Sequence, residues 1–171
     1  MKNKARDFAI KAHGDQMYGQ FPYVVHLDAV SALLEPYGEC AQVIGYLHDV
    51  VEDTSMSTDE IAKEFTPFIS RCVELLTDAP GASRKDKKSK TYTRLSLVDG
   101  DEQLALVVKT ADRLANVSAC LRDNNQKLLN VYSGEHSAFR TSVYRPGLCD
   151  SLWDKLNTAA PSFGLIDNAA G

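Results

Sequence analysis

The stretch Val43-Ile44-Gly45-Tyr46-Leu47-His48-Asp49-Val50-Val51-Glu52-Asp53-Thr54 carries a structural and a chemical message at once. Its apolar residues, 43, 44, 47, 50 and 51, recur at spacings of three and four, the pattern of one buried helical face. On such a helix positions 48 and 52 are neighbours, and so are 49 and 53. An imidazole and three carboxylates therefore crowd one stripe at the edge of the buried face. Carboxylates packed together at a partly apolar site repel one another, and no basic residue in the segment offsets them. A divalent cation would.

The same spacing runs outward along the chain. Leu104, Val107, Val108, Ala111, Leu114 and Val117 repeat it, and period-two alternation never persists. Ser57-Thr58-Asp59-Glu60 reads as a capping box opening a helix through Phe65, and Pro67 suits the first turn of the next, which ends near Thr77. Ala79-Pro80-Gly81 breaks the chain, and a basic segment follows that composition reads as a solvated loop. Asp101 is the expected N-cap of the helix around 104–117. Asp123-Asn124-Asn125-Gln126 marks a turn, and Pro146-Gly147 separates two further helices. The expected fold is all-α: a single-domain helical bundle of roughly eight to ten helices over residues 1–158. Residues 159–171 read as a frayed or disordered tail.

Length and composition agree. The 171 residues fit one domain, with 44% hydrophobic and 25% charged residues. The longest apolar run, Leu104 to Val108, is far below the ~20 residues of a membrane helix. The N-terminal stretch has no secretory pattern, so a cytosolic protein without a membrane partner is expected. Cys40, Cys72, Cys120 and Cys149 lie at wide spacings with no CxxC pair, and read as small buried apolar residues. The net charge of −4 argues against a nucleic-acid partner. Residues 84 to 94, however, hold six basic residues and one acid, which makes +5 and leaves −9 for the rest. A positive patch on an acidic protein suits a small polyanion such as a nucleotide with several phosphates. The oligomeric state is open, and a homo-oligomer is compatible with the sequence.

A second polar cluster lies in Lys109-Thr110-Ala111-Asp112-Arg113-Leu114-Ala115-Asn116, where 109, 112, 113 and 116 share one helical face. Asp112 is the natural additional ligand. His26, following Phe21-Pro22-Tyr23-Val24-Val25 at the start of another amphipathic helix, supplies a second imidazole. Two histidines and two aspartates form a mixed shell suited to Mn²⁺, Fe²⁺, Co²⁺ or Zn²⁺.

In that order, His26, His48-Asp49 and Asp112 resemble the H…HD…D ligands of the HD-domain metallohydrolases. Ala12-His13-Gly14-Asp15-Gln16, Pro22-Tyr23-Val24-Val25-His26, Leu47 to Thr54 and Lys109 to Asn116 resemble the motifs of the RelA/SpoT hydrolase branch, in particular the stand-alone small alarmone hydrolases of the Mesh type. The resemblance covers roughly residues 4 to 156. It implies an Mn²⁺-dependent pyrophosphohydrolase that removes the 3′-pyrophosphate of (p)ppGpp-type alarmones of the stringent response. It also implies His26, His48, Asp49 and Asp112 as metal ligands, Glu52 and Asp53 as the acids that activate water, and Tyr23 and Asn116 beside the nucleotide. For the released pyrophosphate the basic stretch is the candidate, through Lys87, Lys88, Lys90 and Arg94, with Arg140 and Arg145 downstream.

One departure affects the substrate. Relatives in this branch carry an arginine between the first Gln and the Pro-Tyr that stacks on guanine, whereas Gln16-Met17-Tyr18-Gly19-Gln20-Phe21-Pro22 holds no basic residue. Tyr18 or Phe21 could stack instead, and adenosine alarmones such as (p)ppApp become candidates. The alternatives are another HD-domain nucleotide phosphohydrolase (a nucleoside 5′-monophosphatase or an NADPH 2′-phosphatase-like enzyme) and a non-catalytic nucleotide-sensing module.

Overall fold

The computed structural model describes residues 1–164. Its framework is α1 (Lys2–His13), a two-stranded hairpin of β1 (Met17–Tyr18) and β2 (Phe21–Pro22), α2 (Val24–Leu33), α3 (Gly38–Leu47), α4 (Val50–Asp53), α5 (Thr58–Glu64) and α6 (Pro67–Leu76). The second half holds α7 (Arg84–Ser96), α8 (Leu104–Arg122), α9 (Gln126–Val143), α10 (Asp150–Ala159) and α11 (Pro161–Gly164). Setting aside the single turns α4 and α11, the described residues form nine helices, as the apolar spacing predicts. Among them no helix is long and apolar enough to cross a membrane.

The central element is α8, with 13 of its 19 residues buried. Helices that are apolar nearly all round belong inside, and α2, α3, α6, α9 and α10 all pack against this one. Gly45 lets α3 approach α2 closely: a Cβ there would meet Leu34 Cδ1 at 2.5 Å. That approach matters because α2 carries His26 and the end of α3 presents His48.

Local signals hold where side chains satisfy backbone ends. Ser57 and Glu60 form the predicted capping box, and Thr66 caps the helix that begins at Pro67. The basic segment corrects the loop expectation. Ser83 caps it, Asp86 pairs with Lys90 one turn on at 2.9 Å, and Thr91, Tyr92 and Leu95 bury its inner face, so it is the 13-residue α7.

Other details differ from the sequence reading. The helix expected across 43–53 breaks after Leu47, because His48 Nδ1 takes the Gly45 carbonyl at 2.7 Å. An unbroken helix would give that carbonyl to the Asp49 N–H. Asp101 does not cap α8: it lies in a 3₁₀ turn, Gly100–Gln103, and α8 starts at Leu104. The strands β1 and β2, two residues each, are too short to leave an alternation. Cys40 is exposed, while Cys72, Cys120 and Cys149 are buried as expected. The boundary at 158 falls inside α10, and Phe163 is buried with its ring 5.1 Å from that of His136, so the chain stays packed through α11. Residues 165–171 of the expected tail lie outside the described residues.

Candidate active site

Four elements bring the proposed ligands together. His48 is buried at the end of α3, and a carbonyl can only accept, so its Nδ1 carries the proton given to Gly45 O. Its Nε2 is the atom left to face the cluster, where the neutral ring would offer a lone pair to a metal. His26, in the first turn of α2, points its own Nε2 to within 3.4 Å of that atom. Asp49 Oδ2 stands 2.9 Å from His48 Nε2 and 3.8 Å from His26 Nε2. Asp112 Oδ1, from the middle of α8, stands 3.5 Å and 3.4 Å from the same two nitrogens. The ligand atoms of His26, His48 and Asp49 all lie within 4.8 Å of one another.

This donor set fits a cation. Two imidazole nitrogens and two carboxylate oxygens converge on one point, where neutral imidazoles and ionised carboxylates would only repel. Without a metal a proton does part of the work. Burial opposes charge on His48, but Asp49 and Asp112 outweigh it and hold its pKa well above the ordinary value. Burial likewise favours protonated Asp49 and Asp112; the imidazoles outweigh it and, with Lys109 beside Asp112, keep both carboxyls well below the usual range.

A layer of hydrogen bonds orients the carboxylates. The Tyr23 hydroxyl donates to Asp49 Oδ2, and the Asn116 amide donates to Asp112 Oδ1. Tyr18 donates to Asn116 Oδ1 at 2.7 Å and stacks its ring on His26 at 4.7 Å. Burial pushes the Tyr18 and Tyr23 hydroxyls above their ordinary pKa, so both remain donors. Tyr18 is thus engaged with the cluster itself. Phe21 is exposed, and the Arg122 guanidinium lies 5.5 Å from its ring centre, so α8 brings a cation to the hairpin that contains none.

Beside the cluster opens a cavity of about 220 Å³. Glu52, Asp53, Asp49 and Asp112 line one part; Arg84, Lys88, Lys109 and Arg113 line another. Glu52 reaches the cleft from α4 and accepts the Asp78 N–H at 2.9 Å. Its burial within the cleft raises its pKa above the ordinary glutamate value. Lys88 pairs with Asp78 at 2.8 Å, and Lys109 Nζ stands 3.7 Å from Asp112 Oδ2. Arg84 and Arg113 share Glu135, at 2.7 and 3.0 Å. A larger cavity, about 820 Å³, lies beyond Arg84 and Lys88 between α7 and α9, but the ligand cluster and both acids are in the smaller one.

The structure sorts the predicted substrate-binding residues. Tyr23, Lys88 and Asn116 line the cavity, and Lys87 lines an adjoining one with Glu52 and Arg84. Three others lie elsewhere. Lys90 is bound to Asp86 and the Pro80 carbonyl, and Arg94 donates to the Leu75 and Thr77 carbonyls at the end of α6. Arg140 stacks on Tyr144 and Trp153. Arg145 likewise serves carbonyls, those of Ser142, Tyr144 and Ser96. Helical periodicity is the reason: 84 and 88 share a face one turn apart, while 86 and 90 share another. Arg84 is the member of the basic stretch that reaches the cavity with Lys88, and Lys109 and Arg113, given no substrate role by the sequence, join them there. Lys109 and Arg113, four apart around Asp112, carried a sequence signal; Asp78, Glu135 and Tyr132, which also lines the cavity, carried none.

No protein-family model matches the chain. It is 35% identical over 154 residues to the GTP pyrophosphokinase rsh of Brucella ovis, covering 86% of this chain and 20% of that protein. It is 30% identical over 149 residues to the guanosine-3′,5′-bis(diphosphate) 3′-pyrophosphohydrolase of Aquifex aeolicus, covering 85% and 21%. Among solved structures it is similar to a metazoan ortholog of SpoT described as hydrolysing ppGpp, with a TM-score of 0.75, 23% identity and 96% of each chain covered. Fold and site together define an all-helical domain with a two-histidine, two-aspartate centre, of the architecture found in that metazoan protein. In sequence the chain is similar to these Rsh and pyrophosphohydrolase proteins, and it spans about a fifth of the length of the curated relatives it matches.

Proposed function

We propose that this chain is a metal-dependent 3′-pyrophosphohydrolase of alarmone nucleotides, acting in the cytoplasm on a small nucleotide. The observation that carries the reading is the meeting of His26, His48, Asp49 and Asp112 beside two further acids and a wall of four cations. The names of the relatives support it. His26, His48, Asp49 and Asp112 would hold the cation, for which Mn²⁺ is our choice among metals that accept mixed nitrogen and oxygen ligands. Bound there, a divalent ion acidifies water and neutralises phosphoryl charge.

The protein's own groups do the rest. Glu52 and Asp53 take the proton of the attacking water and fix its direction. The water oxygen bonds to the phosphorus next to the ribose, the P–O3′ bond breaks, and O3′ gains a proton. The products are pyrophosphate and a nucleoside 5′-diphosphate or triphosphate. Arg84 and Lys88 face the phosphate oxygens, and Arg113, fixed by Glu135, backs them. The hairpin without a basic residue favours an adenine alarmone as a second substrate. A Mn²⁺-supplemented assay of ppGpp, ppApp, NADPH and dAMP side by side tests the reading. Pyrophosphate from a 3′-diphosphate supports it, whereas orthophosphate from dAMP or NADPH alone replaces it.

The cation wall gives a graded prediction. Lys88→Gln and Arg84→Gln are each expected to raise KM on the order of 10-fold, with weaker salt dependence, because a charged hydrogen bond to phosphate is lost. Lys90→Gln should stay within about twofold of wild type, since its partners are Asp86 and Pro80. Equal responses at 88 and 90, read from KM across a salt series, would refute the assignment of faces.

A further inference from the structure

The chemistry above leaves one quoted motif without a role, Ala12-His13-Gly14-Asp15-Gln16 at the end of α1. We propose that Gln16, itself oriented by His13, is a positioning residue for Asp53. The inference rests on the hydrolase reading, in which Asp53 handles the attacking water.

The backbone builds the arrangement first. Gly14 ends α1 at φ +53°, where a side chain would be strained, and the chain doubles back. The Gln16 N–H then donates to the His13 carbonyl at 3.1 Å, and the Gln16 carbonyl accepts the Tyr23 N–H at 3.0 Å. The residue is held on both sides, and its side chain is left to span the space between His13 and α4.

The side-chain chain has one polarity. His13 Nδ1 lies 2.8 Å from Gln16 Oε1, and Gln16 Nε2 donates to Asp53 Oδ2 at 2.9 Å. A carboxylate oxygen only accepts, so the amide must present its NH₂ to Asp53 and its oxygen to His13. His13 must then carry its proton on Nδ1. An amide turned the other way would set oxygen against oxygen at Asp53. The carboxylate of Asp53 thus sets the amide, and a proton on His13 Nδ1 holds it there through the amide oxygen.

His13 is fixed in turn. It is buried, and its ring stacks on Tyr23 with centroids 4.4 Å apart at 26°. Tyr23 is the residue that donates to Asp49. One imidazole thus supports a metal-ligand carboxylate through Tyr23 and a water-handling carboxylate through Gln16. Among the described residues its Nε2 is a buried nitrogen without a hydrogen-bond partner. The polar contact of the ring is therefore the one made through Nδ1.

Gln16→Met keeps length and volume and removes the donor; His13→Phe keeps the stack on Tyr23 and removes the Nδ1–H. With ppGpp and Mn²⁺, each is expected to lower kcat by about 10- to 100-fold, the usual cost of losing an outer-layer partner, with KM within about twofold. Metal content and Tm should stay at wild-type values. The decisive measurement is the double-mutant cycle: in an Asp53→Asn background, Gln16→Met should remove less than about twofold more, since the side chain it positions can no longer take the water's proton. A wild-type kcat in both single variants overturns the proposal. So does an undiminished further loss in the Asp53→Asn background, and so does loss of metal in Gln16→Met. A wild-type enzyme that hydrolyses none of the four nucleotides overturns the hydrolase reading and this inference together; an active wild type with indifferent Gln16 and His13 variants overturns only the inference.

Discussion

Replacing His48 with alanine is expected to empty the site of metal and reduce turnover to below about a thousandth of wild type, the loss that follows when a Lewis acid is removed from a hydrolytic centre. The size of the effect follows from the geometry. His48 Nε2 is the nearest ligand atom to Asp49 Oδ2, at 2.9 Å, and it is also within 3.5 Å of both His26 and Asp112. Its direction is set by a backbone carbonyl, so no other residue in the cluster can take its place. In the alanine variant two carboxylates would face a single imidazole across a void, and the cation would lose its central nitrogen donor. Metal analysis checks this without an assay. Thermal melts add an independent reading, because a metal bound only by the folded state stabilises by about 2.7 kcal/mol at 100 times its Kd. Chelation should lower the Tm of wild type and leave that of His48→Ala unchanged. Full metal occupancy in the variant would remove His48 from the ligand set.

The fold was legible in the sequence because its signals are local and repeated. Apolar residues at spacings of three and four specify helices, and Ser57-Glu60, Pro67 and the polar turn at 123–126 mark their ends. The candidate metal site was legible for a related reason: His48 and Asp49 are adjacent, and Asp112 sits on a helix otherwise too apolar to tolerate a stray carboxylate. The substrate wall was less so. Charge counting located the +5 segment but could not orient it, and only the helix shows that Arg84 and Lys88 face the cleft while Lys90 and Arg94 bind α7's neighbours. The break at His48 was hidden as well, since a side chain taking a backbone carbonyl leaves no trace in periodicity. Asp78, Glu135 and the His13–Gln16–Asp53 chain depend on packing between distant segments.

The second large effect separates an acid from a ligand. Glu52→Gln is expected to keep its metal and lose a factor on the order of 10²–10⁴ in kcat, the worth of a positioned general base. The amide oxygen of Gln can still accept the Asp78 N–H that holds Glu52 at 2.9 Å, so the side chain should stay where it is. What it loses is the ability to take a proton. The pH profile gives the sign. Burial raises the Glu52 pKa, so in wild type the base becomes protonated, and kcat falls, as pH drops through a value above the ordinary glutamate figure of about 4.3. That acidic limb should vanish from the residual rate of the variant. Stability should move the other way. A glutamate whose pKa is raised on folding is most favourable when protonated, and its contribution is lost as pH rises past the folded value. A neutral Gln escapes that loss, so at pH 7 the variant should melt no lower than wild type. Activity down, metal unchanged and Tm unchanged or up form a combination that a structural role for Glu52 would not produce. Loss of metal would make Glu52 a ligand, and retained turnover would leave the water to Asp53 alone.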